Sequence, residues 1–179
     1  MKKFLKKILV KIGLLDSFTI ELTVSPETMV AKLSKMMDDY QPYLFDIFTF
    51  NKKEYKGYIR IDKFEIKKCK KFMVSFDHLA EAIGRIKTEN NKLIIRTEVS
   101  SIQPYVALIS FGLSALFFLL IGLAAILFTL TTGEIEGLYV GLAIISIGII
   151  FLGIPVYIMR WSVWNLKSDL EDELRNIGE

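Results

Sequence analysis

The chain has 179 residues, 52% of them hydrophobic and 24% charged, with a net charge of +3 and a mean hydropathy of +0.39. Soluble domains with this much charge are seldom net hydrophobic, so the two kinds of residue must be segregated. Twenty of the 23 lysines and arginines precede residue 97, the other three follow residue 159, and residues 103–159 carry none. The one cysteine, Cys69, excludes an internal disulfide framework and a multi-cysteine zinc site.

Residues 1–15 read as a basic amphipathic helix. Phe4, Leu5, Ile8, Leu9, Ile12 and Leu15 share one face and Lys2, Lys3, Lys6, Lys7 and Lys11 the other, with Val10 and Leu14 off the pattern. Charges interrupt the apolar residues too often for a cleavable signal peptide. The pattern suits a helix lying on anionic lipid headgroups, with the five lysines as surface contacts. A helix packed on its own domain with a solvated lysine face gives the same pattern.

Residues 16–102 read as an α+β domain: a strand, a helix, then antiparallel strands. Phe18, Ile20, Leu22 and Val24 alternate with polar residues as in a half-buried strand. Ser25-Pro26-Glu27 is a helix start, with a capping hydroxyl, proline in the first turn and an acid beside it. Asp38-Asp39-Tyr40-Gln41-Pro42 is expected to end that helix. Period-two alternation returns over Tyr43–Phe50, Tyr55–Ile61, Phe64–Lys68, Phe72–Phe76, Ile83–Thr88 and Leu93–Val99, which predicts four to six antiparallel strands. A single helix should then cover one sheet face.

Residues 104–132 and 138–160 each exceed the roughly 20 apolar residues that span hydrocarbon, and both are expected to be transmembrane helices. The turn at 133–137 holds Glu134 and Glu136 and no base, whereas Arg85, Lys87, Lys92, Arg96, Arg160 and Lys167 flank the outer ends. The positive-inside rule then puts both termini in the cytoplasm and the turn outside, in the inner membrane of a bacterium. Trp161 and Trp164, with Tyr157, suit the cytoplasmic interface of the bilayer. Ser110, Ser114 and Ala125 in the first span and Gly137, Gly141 and Gly148 in the second are small enough to form a helix-packing seam, either within the hairpin or between copies. Residues 161–179 read as a cytosolic amphipathic helix, net acidic where the domain before the spans is net basic, so that docking of one on the other is expected.

The runs Tyr55-Lys56-Gly57-Tyr58-Ile59, Phe64-Glu65-Ile66-Lys67-Lys68, Gly84-Arg85-Ile86 and Leu93-Ile94-Ile95-Arg96-Thr97-Glu98-Val99, leading into two spans, resemble a class of small uncharacterised bacterial two-span membrane proteins with an N-terminal cytosolic α+β domain. The resemblance implies that layout over residues 17–160 and no activity. At Lys71–Asp77 the chain departs from the Tyr-Arg-Asn-Ser-Phe-x-Pro-like stretch of that class.

For chemistry the chain offers little. His78 is the sole histidine, and neither it nor Cys69 has partners in the pattern that a metal or a thiolate nucleophile needs. No cofactor, no metal and no enzymatic activity are expected. The lysines around Lys52–Lys71 alternate with acids and aromatics, which suits an anionic leaflet better than nucleic acid. Tyr43, Phe45 and Phe48 are candidates for an aromatic pocket between helix and sheet. The leading expectation is a membrane-anchored adaptor touching lipid headgroups or a protein partner, or assembling as a homo-oligomer; the alternative is a small ligand- or lipid-binding module.

Overall fold

A computed structural model describes residues 2–39, 53–69, 79–89, 92–101, 104–133 and 135–178. The elements are α1 (Lys2–Ile12), β1 (Leu15–Leu22), α2 (Pro26–Met36), β2 (Met37–Asp39), β3 (Tyr55–Ile59), β4 (Lys63–Lys68), β5 (Ala80–Glu89), β6 (Lys92–Ser101), α3 (Pro104–Thr132) and α4 (Ile135–Gly178). They form two compact units, one of residues 1–102 with 159–179 and one of residues 103–158.

The first unit is built on a six-stranded sheet of order β1-β6-β5-β4-β3-β2. Every neighbouring pair is antiparallel except β2 and β3, which run parallel. Ile20, Leu22, Ile95, Val99, Ala82, Ile86, Phe64, Ile66 and Tyr55 alternate onto one face and are buried there. Two helices cover that face. Met29 and Leu33 come from α2, and Val163, Leu166, Leu170, Leu174 and Ile177 come from the end of α4.

Local chemistry sets the helix ends. The Ser25 hydroxyl accepts from the Thr28 amide at 3.2 Å, with Pro26 in the first turn, as the start signal requires. Helix α2 stops sooner than expected, at Met36, because Met37–Asp39 pair with β3 instead of ending in a loop. Its last carbonyls are taken by Lys53, whose Nζ donates to Ser34 O at 3.1 Å and Met37 O at 2.7 Å. Helix α1 closes through Gly13, at φ +76°. The Gly13 amide donates to Val10 O and the Leu14 amide to Leu9 O, and Leu9 and Leu14 are both buried. That is a Schellman close with its hydrophobic clasp, and it explains why Leu14 stood off the amphipathic pattern.

In the second unit α3 and the first part of α4 form an antiparallel hairpin. Gly133, at φ +75°, closes α3 by donating to Thr129 O at 2.8 Å. The turn is shorter than the expected 133–137, since α4 starts at Ile135. Gly122 and Gly141 bring the backbones together: a Cβ on Gly141 would stand 2.8 Å from Gly122 O, and one on Gly122 2.8 Å from Gly141 O. Gly137 lies against Thr129 and Gly148 against Phe118. Gly112 and Gly153 have nothing within 4 Å of the same position. Gly141→Ala should therefore force the seam apart at about 1–3 kcal/mol, as overpacking does. Gly112→Ala and Gly153→Ala should be neutral or stabilising through helix propensity. Thermal unfolding of the full chain in micelles separates these outcomes, and equal melting of all three variants would disprove the seam.

Other expectations differ from what is found. Two helices, not one, cover the sheet, and the strands are not all antiparallel. Residues 138–160 and 161–179 are not separate helices but one, because nothing around Trp161 breaks a helix. Pro155 removes one intrahelical donor within α4 without ending it. The expected strands over Tyr43–Phe50 and Phe72–Phe76 lie outside the described residues.

Candidate functional site

The sheet face away from α2 and α4 is polar. It presents Ser17, Thr19 and Glu21 of β1, Ile94, Arg96 and Glu98 of β6, Glu81, Ile83, Arg85 and Lys87 of β5, and Lys63, Glu65 and Lys67 of β4. Helix α1 borders it at the β1 side, where Lys6 pairs with Glu98. Between them runs a groove of about 530 Å³ lined by Lys6, Ser17, Thr19, Ile83, Arg85, Arg96 and Glu98.

Three lysines stand beside four of the acids on this face. Lys67, nearly buried, lies 3.0 Å from Glu81 and 3.7 Å from Glu65; Glu98 holds Lys6; Glu21 lies 3.2 Å from Lys92. The strand register aligns a different row: Lys63 opposite Arg85, Arg85 opposite Arg96, and Arg96 opposite Thr19. Lys63 Nζ and the Arg60 guanidinium stand 5.7 and 6.0 Å from the centre of the Tyr58 ring.

On the covered face, charge ties α4 to the sheet. Lys68 pairs with Asp169, Lys167 Nζ donates to Asp16 at 2.8 Å, and Lys32 Nζ donates to Ile177 O at 2.9 Å, satisfying a carbonyl at the helix end. The acidic tail thus docks on the basic domain. Burial and the neighbouring carboxylates of Asp169, Glu54 and Glu173 push the Tyr55 hydroxyl well above its ordinary range, so it stays a neutral phenol.

Burial alone would raise the Asp16 carboxyl, but hydrogen bonds from Lys167 and the Ser17 amide, with the Lys167 charge, hold it below its ordinary value. A depressed carboxylate stabilises the fold above the unfolded value near pH 4 and loses that contribution as pH falls through the folded one. Since the Asp16 side chain is 47% exposed, the contribution is small, roughly 0.5 kcal/mol. Asp16→Asn should lower stability by that amount at neutral pH and by nothing in acid below the folded value, which denaturant titration at the two pH values measures. An equal deficit at both would exclude ionic docking.

The expected surface contacts divide. In α1, Lys7 and Lys11 are exposed and Lys6 is engaged, and Phe4 and Val10 stand 68% and 52% exposed. Leu9 packs inward, so the helix rests on its own domain and keeps Phe4 and Val10 outward. Lys2 and Lys3 belong to the same helix. Trp161 and Trp164 are exposed. Of the expected packing residues, Gly137, Gly141 and Gly148 line the hairpin seam, Ala125 is half-buried near Gly137, and Ser114 turns back to donate to Ser110 O. Gly122 completes the seam and was legible only once its place opposite Gly141 is known. Tyr43, Phe45, Phe48 and His78 lie outside the described residues. Among the described residues, no group of three or more His, Cys, Asp or Glu could hold a metal ion.

Both α3 and α4 are long and apolar enough to cross a membrane, and only 11% and 6% of their most apolar stretches are buried. Large side chains such as Leu113, Phe117, Phe128, Ile149 and Ile154 point outward. No family model and no curated protein matches the sequence. A solved structure, the solution structure of the Aha1 dimer from Colwellia psychrerythraea, is similar over 50% of this chain and 77% of its own, at 14% identity and a TM-score of 0.33.

Proposed function

We propose that the chain is a membrane-anchored module of the bacterial inner membrane. In this reading α3 and the apolar part of α4 cross the bilayer as a hairpin, and the sheet unit and both termini stand in the cytoplasm. The sheet unit acts as a non-enzymatic adaptor toward the anionic leaflet or a protein partner. The observation that carries the reading is the uncovered apolar surface of the hairpin, because water would penalise so much exposed hydrocarbon at roughly 25 cal/mol per Å². The distribution of Lys and Arg supports the orientation. The exposed Phe4, Lys7, Val10 and Lys11 of α1 support contact with the leaflet.

A cysteine at Gly133 should react with an impermeant maleimide in intact spheroplasts, while one at Glu89 should react only after lysis. The reverse pattern would overturn the orientation, and release of the chain by alkaline extraction would overturn the anchor. A spin label at Val10 should lose contact with an aqueous relaxant in nanodiscs containing phosphatidylglycerol and regain it in phosphatidylcholine alone. Free access in both would remove the leaflet and leave the protein partner.

A further inference from the structure

We propose that the open sheet face carries a phosphate-binding site built on the cross-strand row Lys63–Arg85–Arg96. Side chains directly opposite on antiparallel strands have Cβ atoms about 4.5–5.5 Å apart, and like charges so placed destabilise the sheet. Here three cations stand in succession across β4, β5 and β6. Of the carboxylates beside the row, Glu98 is held by Lys6, and Glu65 lies 3.7 Å from Lys67, which it shares with Glu81. Among the described residues, neither Arg85, Arg96 nor Lys63 has an ion-pair partner.

The surroundings suit an anion. Arg85 and Arg96 line the groove of about 530 Å³, a volume within the range of small-ligand sites. Since Lys6 and Glu98 neutralise each other, the groove's uncompensated charge is that of the two guanidinia. Their planar forks match tetrahedral oxyanions in a way that an ammonium does not. Ser17 and Thr19 in its lining offer hydroxyl donors, and Ile83 adds an apolar side chain. A phosphate bridging the two guanidinia turns the repulsion along the row into two charge-assisted contacts. The ligand is therefore a phosphate group, borne either by a lipid headgroup or by a soluble phosphate ester.

The test uses the full chain in uncharged detergent micelles, with inorganic pyrophosphate as the probe and calorimetric titration beside thermal unfolding. Pyrophosphate should bind saturably and raise the melting temperature beyond sodium chloride of equal ionic strength. Arg85→Gln and Arg96→Gln should each weaken binding about tenfold or more. Without ligand each should melt no lower than the parent, since a like-charge neighbour has gone. Lys35→Gln, an exposed lysine of α2 on the other side of the sheet, should leave the affinity unchanged. Equal responses to pyrophosphate and chloride, or undiminished binding in both arginine variants, would overturn the site. Reconstitution then separates the sources: since both lipids carry a headgroup phosphate, a pyrophosphate response seen in detergent but lost in nanodiscs of phosphatidylglycerol or of phosphatidylcholine identifies a headgroup as occupant, and a response kept in both nanodiscs identifies a soluble phosphate ester.

Discussion

Leu170→Ala is expected to lower the stability of the sheet unit by about 2–5 kcal/mol, the usual cost of emptying a buried leucine site. Leu170 is 1% exposed, and Leu166 and Leu174, one turn to either side, are fully buried in the same core. Against a typical total of roughly 5–15 kcal/mol, one such loss is severe. The double change Leu166→Ala/Leu170→Ala should leave the unit unfolded. Trp164→Ala, on the exposed side of the same helix, should stay within about 0.5 kcal/mol of the parent. Hydrogen exchange of the β5 and β6 amides in the full chain measures the difference. Native protection in Leu170→Ala would mean that α4 only rests against the sheet and is not part of its core.

A second large effect is expected at Gly84. Its position is directly opposite Phe64, whose ring lies over the glycine and fills the space a side chain would take. Phe64 is 1% exposed at the centre of the sheet. Gly84→Ala must therefore displace a buried aromatic ring, at about 1–3 kcal/mol for overpacking and more if the ring is expelled. A double-mutant cycle isolates the cause. Gly84→Ala should cost less in a Phe64→Leu background, with a coupling of about 1 kcal/mol or more. Additive losses would place the penalty in the strand backbone rather than in the ring.

Much of this architecture was legible because it rests on local patterns. The alternation of Phe18, Ile20 and Leu22, the Ser25-Pro26 cap and the two apolar runs each act over neighbouring residues, where period and propensity decide the outcome. What escaped is non-local. Met37–Asp39 is a strand only because β3 pairs with it, and three residues carry no alternation to recognise. The end of the apolar run suggested a boundary at residue 160, but a change from apolar to amphipathic sequence does not stop a helix and α4 runs on. The row Lys63–Arg85–Arg96 draws on three strands and exists only through their register. Read linearly, its members were separate charges among many. The same holds for Gly122, an ordinary helical glycine until Gly141 is brought opposite.

The sheet unit is discontinuous in the chain, with residues 103–158 intervening between β6 and the leucines that complete its core. During synthesis, at about 5–20 residues per second, the six strands leave the ribosome seconds before Leu166, Leu170 and Leu174 do. Until then one face of the sheet lacks half its cover, and the apolar hairpin must be made before the cover arrives. Completion of the sheet unit is thus ordered after production of the hairpin. A ribosome stalled within residues 133–158 would hold a nascent chain whose sheet is still open to chaperones and proteases.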